Sequence, residues 1–204
     1  MEQLLNMPKE RKEALLNAAL KEFTQRGFDQ ASTNEIAKNS GISKSLMFHY
    51  VKNKQELFML VYDYFHQLIH QEYYLKLDLE QKDVFVRLRQ SYLLQIQILQ
   101  TYPDVLLIEN LKGDTKSEVI NSFLASKEDQ ASFNCQVDLF KHIDTSKFRE
   151  NVNIEKAKKV ILWSNQGLIN ELLADEEILD LTKTTQLLDE YLAELRKLFY
   201  VDEE

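Results

Sequence analysis

The sequence predicts an all-α fold. Only four glycines and two prolines occur in 204 residues, too few punctuators for a turn-rich β architecture. Leu, Lys, Glu and Gln are abundant and β-branched runs are scarce, a composition that loses little side-chain freedom in a helix. Apolar residues also recur at three- and four-residue spacing along most of the chain. About nine helices follow from that periodicity. They divide into a small N-terminal head, residues 1–54, and a larger helical body, residues 55–204.

The net charge of −8 at first argues against a nucleic-acid partner, but its distribution says otherwise. Residues 1–54 hold nine Lys/Arg against six Asp/Glu, or +3, while the remainder holds 16 against 27, or −11. Cys135 is alone, so no intramolecular disulfide forms, and without a cationic neighbourhood it reads as a small buried apolar residue, not a redox sensor. The opening MEQLLNMPKE lacks a basic, then apolar, leader pattern. Apolar runs fall short of the roughly 18 residues a membrane span needs. The expectation is a cytoplasmic protein without a membrane partner.

In the head, Leu15, Leu16, Ala19 and Phe23 mark helix one from Glu10 to Arg26, with Gly27 as a left-handed cap. Ser32 precedes Glu35 by three residues, the reciprocal capping-box pattern, and starts a short helix from Thr33 to about Asn39. Gly41 turns the chain, and Ser43 caps a third helix from Lys44 to about Val51. Two short helices about one glycine turn make a helix-turn-helix over about residues 33–52. Asn53 with Glu56 caps a fourth helix, apolar at Leu57, Leu60, Val61, Tyr64, Phe65 and Leu68 and expected to pass Tyr74.

In the body, Phe85, Leu88, Tyr92, Ile96 and Leu99 stripe a fifth helix that Pro103 ends. A short helix is expected over Asp104–Leu111; between Lys116 and Ile143, Val119, Phe123, Phe133, Val137 and Phe140 are at helical spacing, and the polar SKEDQ among them leaves one long helix, the preferred reading, or two. Two apolar helices close the chain. The first carries Ile154, Ala157, Val160, Ile161, Trp163, Ser164, Gly167, Leu168 and Leu172; the second carries Leu181, Thr184, Leu188, Tyr191, Leu195 and Leu198, widened by Leu187, Leu192 and Phe199. So much apolar helix surface predicts a homodimer, with Trp163, Gly167, Leu188, Tyr191, Leu195 and Leu198 at its interface.

The stretch ALLNAALKEFTQRGFDQASTNEIAKNSGISKSLMFHYVKNKQELF resembles the N-terminal DNA-binding domain of TetR-type transcriptional regulators. The resemblance rests on Ala18, Ala19, Phe23, Gly27, Thr33, Ile36-Ala37, Gly41-Ile42-Ser43, Phe48, Tyr50, Lys54 and Leu57, and covers about a quarter of the chain. It implies a third helix that enters the major groove, and a body that binds a small molecule and dimerises through its last two helices. Lys44, Ser45, Leu46 and His49 are then the groove-facing candidates, with Ser43 as their cap. Thr33 stands at the start of helix two, where free N–H groups favour an anion. By similarity, Tyr50 and Lys54 hold backbone phosphates, contacts that set register and not sequence. Many members have glycine where this chain has Ser45, and phenylalanine where it has Val51.

Ile36, Ala37, Ile42, Met47 and Phe48 are expected to form the core of the head. Tyr92, Tyr102, Phe123, Phe133, Phe140 and Trp163 either line an effector cavity or fill the body core. The expected partners are a double-stranded, pseudo-palindromic operator, a small apolar or amphipathic effector, and a second copy of the chain. No catalytic residue, metal or cofactor is expected. Asp63, His66 and His70, on one face of helix four, are the alternative metal-ligand set. A helical ligand-binding protein without specific DNA binding and a metal-dependent bundle enzyme are the alternative functions.

Overall fold

The computed structural model describes residues 7–128, 138–174 and 180–201. The described residues form eight α-helices and no strand: α1 (Lys9–Gln30), α2 (Thr33–Asn39), α3 (Lys44–Tyr50), α4 (Lys54–Ile69), α5 (Val84–Thr101), α6 (Glu118–Glu128), α7 (Ile154–Ala174) and α8 (Leu181–Phe199). A π-helical turn, His70–Tyr74, follows α4, and 3-10 segments occupy Val105–Lys112 and Thr145–Lys147. No helix among the described residues is long and apolar enough to cross a membrane.

The chain folds into two compact units, Met1–Leu75 with Thr101–Gln136, and Lys76–Gln100 with Val137–Glu204. Packing therefore does not divide at residue 54. In the first unit, α1 buries Leu15, Leu16, Ala19, Leu20 and Phe23, and its most extensive neighbour is the 3-10 segment Val105–Lys112. Phe23, Phe28 and Phe58 interlock, with ring centroids 5.1 to 6.3 Å apart.

Gly27 interrupts helix one without ending it. Its φ of 68° and ψ of 167° lie in a region that only glycine enters readily, and the helical hydrogen bonding resumes to Gln30. A Cβ at this position would meet nothing within 4 Å, so backbone conformation alone demands the glycine. Gly27→Ala should destabilise the protein by about 1–3 kcal/mol, measurable as a lowered urea midpoint. A loss below about 0.5 kcal/mol, the scale of an ordinary surface substitution, would show that another residue absorbs the bend.

The capping box of helix two is half formed. Ser32 Oγ accepts the Glu35 N–H at 3.4 Å, but the Ser32 N–H donates to the buried Glu22 carboxylate at 2.8 Å and not to Glu35. Helix four is shorter than expected and passes into the π turn at His70. Its buried face is Leu57, Phe58, Val61, Tyr62, Phe65 and His66, while Leu60, Tyr64 and Leu68 are half-buried. The rotation has a packing cause, because α1, α6 and the 3-10 segment all touch this helix. A single helix over residues 116–143 is not what forms: α6 reaches Glu128, and residues 139–142 are turns with Asp138 accepting the Phe140 N–H. Phe133, Cys135 and Val137 lie outside the described residues.

The second unit has its own core, built from Val84, Phe85, Leu88, Tyr92 and Ile96 of α5, Ile161 and Leu168 of α7, and Leu188, Leu192 and Leu195 of α8. Asp83 is buried at the start of α5, accepts the Phe85 and Val86 N–H groups, and pairs with Lys147 at 2.9 Å and Arg196 at 3.0 Å. Arg87, one turn on, is fully buried and donates to the carbonyls of Leu79, Gln81, Leu139 and Lys141.

Candidate nucleic-acid interface

Local chemistry sets the geometry of the helix-turn-helix. Helix α2 ends in a Schellman cap, with the Gly41 N–H on the Lys38 carbonyl and the Ile42 N–H on the Ala37 carbonyl, both at 3.2 Å. Gly41 supplies the positive φ, 68°, that this cap requires. Ile42 and Ala37, the positions whose side chains commonly meet in such caps, are both buried. Two residues later Ser43 Oγ accepts the Leu46 N–H at 3.1 Å and starts α3.

Helix α3 has two distinct faces. Met47 is fully buried, and with Ile36, Ala37, Ile42 and Val51 it anchors the helix in the head. Lys44, Ser45 and His49 are exposed together, Leu46 is half-buried beside them, and Ser43 is exposed at the N-terminal end. Lys44 Nζ lies 5.9 Å above the Phe48 ring. Phe48, expected in the core, is only half-buried, with that ammonium over its ring. His49 and Tyr50 meet edge to face at 5.2 Å, with Tyr50 half-buried at the C-terminal end. Thr33 is half-buried in the first turn of α2.

Lys54 opens α4, and its ammonium is already engaged: Nζ donates to the Asp29 carbonyl at 3.1 Å and lies 4.8 Å above the Phe28 ring. Partial burial lowers its pKa, against the Asp29 and Glu22 charges that favour the ion. Sequence reasoning missed Glu22 because it sits at an ordinary position of an amphipathic helix, and Phe28 and Asp29 because the helix was expected to end at Arg26. The available signal was Gly27: a break two residues before Asp29 turns that residue off the helix axis.

Five of the six aromatics expected around an effector are among the described residues, two in the first unit and three in the second. Tyr102 is buried in the first unit, its hydroxyl 2.7 Å from that of Tyr64 and its ring against Phe65. Phe123 packs edge to face on Tyr62, with Lys127 above its ring and paired with Asp63 at 2.8 Å. Tyr92 and Phe140 belong to the core of the second unit, and Trp163 is 72% exposed.

The metal alternative is not assembled either. Asp63 is taken up by Lys127, His66 is buried against the Tyr62 ring at 4.1 Å, and His70 is exposed in the π turn. Burial first, and Lys112 second, push the His66 pKa down to about 4 against Glu109 and Asp63. Among the described residues no three His, Cys, Asp or Glu side chains could hold a metal ion.

The residues expected at a dimer interface separate by exposure. Leu188 and Leu195 are buried in the second unit's own core, a placement that corrects the expectation of an outward seam. Trp163 and Gly167 are exposed on α7, and Leu198 is 63% exposed on α8. Tyr191 is half-buried, with its hydroxyl 2.7 Å from both Ser164 Oγ and Asn165 Oδ1.

Residues 15–65 match the family model described as bacterial regulatory proteins, tetR family. A 58-residue segment is 34% identical to the uncharacterized HTH-type transcriptional regulator YuxN of Bacillus subtilis (strain 168). That match covers 28% of this chain and only 20% of the relative. Over 99% of both chains, the fold is similar to a TetR family transcriptional regulator from Chloroflexus aurantiacus J-10-FL, with a TM-score of 0.56 at 18% identity. The ketosteroid transcriptional regulator KstR2 of Mycobacterium tuberculosis gives the same TM-score at 16% identity, over 97% of this chain and 98% of that one.

Proposed function

We propose that the chain, whose head matches the tetR family model and whose fold is similar to that of TetR family regulators, is an operator-binding homodimer that a small molecule in its body releases from DNA. The observation that carries this reading is the two-faced helix α3. Met47 is locked in the core while Lys44, Ser45 and His49 stand exposed, and Tyr50 and Lys54 flank them. A helix held this way presents side chains to base edges, while hydroxyl and ammonium groups at its flanks hold phosphates. Ser43, Thr33 and Leu46 complete the contact set, Ser43 with a hydroxyl hydrogen still available beside its capping bond.

The head is only weakly basic, so affinity comes from two heads on a pseudo-palindromic site. Trp163 and Gly167 on α7 and Leu187 and Leu198 on α8 are exposed and offer apolar surface that a second copy would cover. The effector is apolar or amphipathic, and Tyr102 and Phe123 are the first unit's aromatic candidates for contact with it. Release is a population shift, since a molecule preferring the conformation with misplaced heads weakens DNA binding by the same coupling factor.

The test is titration of the purified protein with duplexes from the DNA flanking its own gene, against scrambled duplexes, over a salt series. One duplex should bind at least about a thousandfold tighter than scrambled DNA, and log Kd should rise steeply and linearly with log salt. Equal affinity for all sequences, or no binding at low salt, would sink the operator reading and favour a ligand-binding protein without specific DNA recognition.

A further inference from the structure

We propose that Asp29 is a positioning residue for the DNA contact: it places the Lys54 ammonium and is itself gripped by the Thr115–Lys116 turn, so that movement of this turn is felt at the phosphate backbone. This inference rests on the operator-binding reading above. Asp29 works with both of its ends. Its carbonyl accepts Lys54 Nζ at 3.1 Å, and its carboxylate accepts the Thr115 hydroxyl at 2.8 Å and the Lys116 N–H at 2.9 Å.

On the Lys54 side, an ammonium has three donors, and the Asp29 carbonyl uses one. The Phe28 ring beneath the ammonium further restricts a four-carbon stem that would otherwise sample many rotamers. Two donors remain, aimed from a fixed point beside the C-terminal end of α3. A lysine so arranged meets a phosphate with less freedom still to lose, and the position of Asp29 decides where it points.

On the other side, Thr115 and Lys116 are joined to the start of α6. The Ser117 N–H donates to Thr115 Oγ1 at 3.1 Å, Asn121 Nδ2 donates to the Thr115 carbonyl at 2.9 Å, and Ser117 Oγ accepts the Ile120 N–H at 3.4 Å. Helix α6 in turn packs on α4 through Phe123 on Tyr62 and Lys127 on Asp63. The carboxylate is fixed from two directions although it lies at the surface. Its bonds to the Lys116 N–H and the Thr115 hydroxyl hold it below the ordinary Asp range, so it stays ionised throughout neutral pH.

Asp29 also lies where small displacements count. Gly27 breaks α1 two residues before it, and the Ala31 N–H bonds back to the Gly27 carbonyl at 3.1 Å. Ser32, the cap of α2, is tied to Glu22. Residues 28–31 are thus a short rigid link between helix one and the helix-turn-helix, and α6 reaches that link directly through Asp29 instead of only along α4. The relay runs from the start of α6, through Thr115 and Asp29, to Lys54.

The experiment uses the full-length protein and the duplex that binds tightest in the salt-series titration. Asp29→Ala, Thr115→Val and Lys54→Ala are compared singly, and the first two are each combined with Lys54→Ala. Asp29→Ala and Thr115→Val should each weaken binding about threefold to tenfold, the scale of one hydrogen bond removed from each head. In the Lys54→Ala background neither should add more than about twofold, because residues acting through one contact are not additive. Asp29→Asn, which keeps an acceptor for the Lys116 N–H, should fall between wild type and Asp29→Ala. A purely structural role would lower the melting temperature and multiply in full with Lys54→Ala; that result overturns the relay, as does wild-type affinity in Asp29→Ala. If the unmodified protein binds no duplex, it is the operator reading that fails, and the two failures are told apart in the same titration.

Discussion

Replacing Arg87 by methionine should cost the protein about 3–5 kcal/mol, at the upper end of what a single substitution does. The side chain is fully buried in the second unit, and all five guanidinium N–H donors are used. Nε donates to the Gln81 carbonyl at 2.9 Å, one terminal nitrogen to the Leu139 and Lys141 carbonyls at 2.9 and 2.8 Å, and the other to the Leu79 carbonyl at 2.8 Å and again to Gln81. Methionine matches the length of the stem and supplies none of these donors. Four carbonyls then lose a charge-assisted bond, each worth about 1.5–3 kcal/mol before relaxation and entering water recover part of it. A lower melting temperature by roughly 10 °C follows for a chain of this size.

Arg87→Lys should lose nearly as much, since an ammonium has three donors radiating from one point and no fork to span four acceptors. Equilibrium urea unfolding of both variants at one protein concentration measures the loss. A cost below about 1.5 kcal/mol would mean that water replaces the guanidinium and that the arginine is not the staple of these loops.

The second large effect is on DNA. Tyr50→Phe combined with Lys54→Ala should weaken operator binding about a hundredfold, because each of two heads gives up two hydrogen bonds to phosphate at roughly 0.5–1.5 kcal/mol apiece. The loss should be the same for the operator and for scrambled duplexes, because phosphate contacts carry no sequence information. The slope of log Kd against log salt should become shallower by about two, one lysine–phosphate contact per head. Substituting Ser45 or His49, which stand on the exposed face of α3, should instead change the preferred sequence. Because Lys54 also caps the Asp29 carbonyl, the melting temperature of the double variant needs checking alongside. A loss of more than about 1 kcal/mol, beyond what an exposed pair contributes, would assign part of the effect to folding. Unchanged affinity would show that neither residue touches the backbone.

How legible the fold was depended on the range of the forces involved. Helices α2 and α3 begin where the sequence places them because their signals are local: Ser32 and Ser43 cap the next turn, and Gly41 takes a conformation other residues avoid. Glu22 escaped notice because the Ser32 N–H it receives is ten residues away, beyond the reach of a capping pattern. The faces of the last two helices were visible as apolar stripes, but a stripe does not say which neighbour covers it. Leu188 and Leu195 look inward and Leu198 outward, and only packing into the second unit's core makes that choice. Trp163 was ambiguous for the same reason: an indole suits either a core or a surface awaiting a partner, and it stands exposed. Tyr92 and Tyr102 share helical periodicity and end in different units, since the chain passes from one unit to the other between Gln100 and Thr101.

That crossing has a consequence for how the protein is born. The helix-turn-helix leaves the ribosome before the segment that completes its unit, Thr101–Gln136, and the most extensive neighbour of α1 is the 3-10 segment Val105–Lys112. Until that segment emerges, a nascent head exposes the apolar side of its first helix, the kind of surface on which chaperones act. The head is therefore finished only after a later part of the chain has emerged, and a fragment cut at Leu75 reproduces the unfinished head and not a free-standing domain.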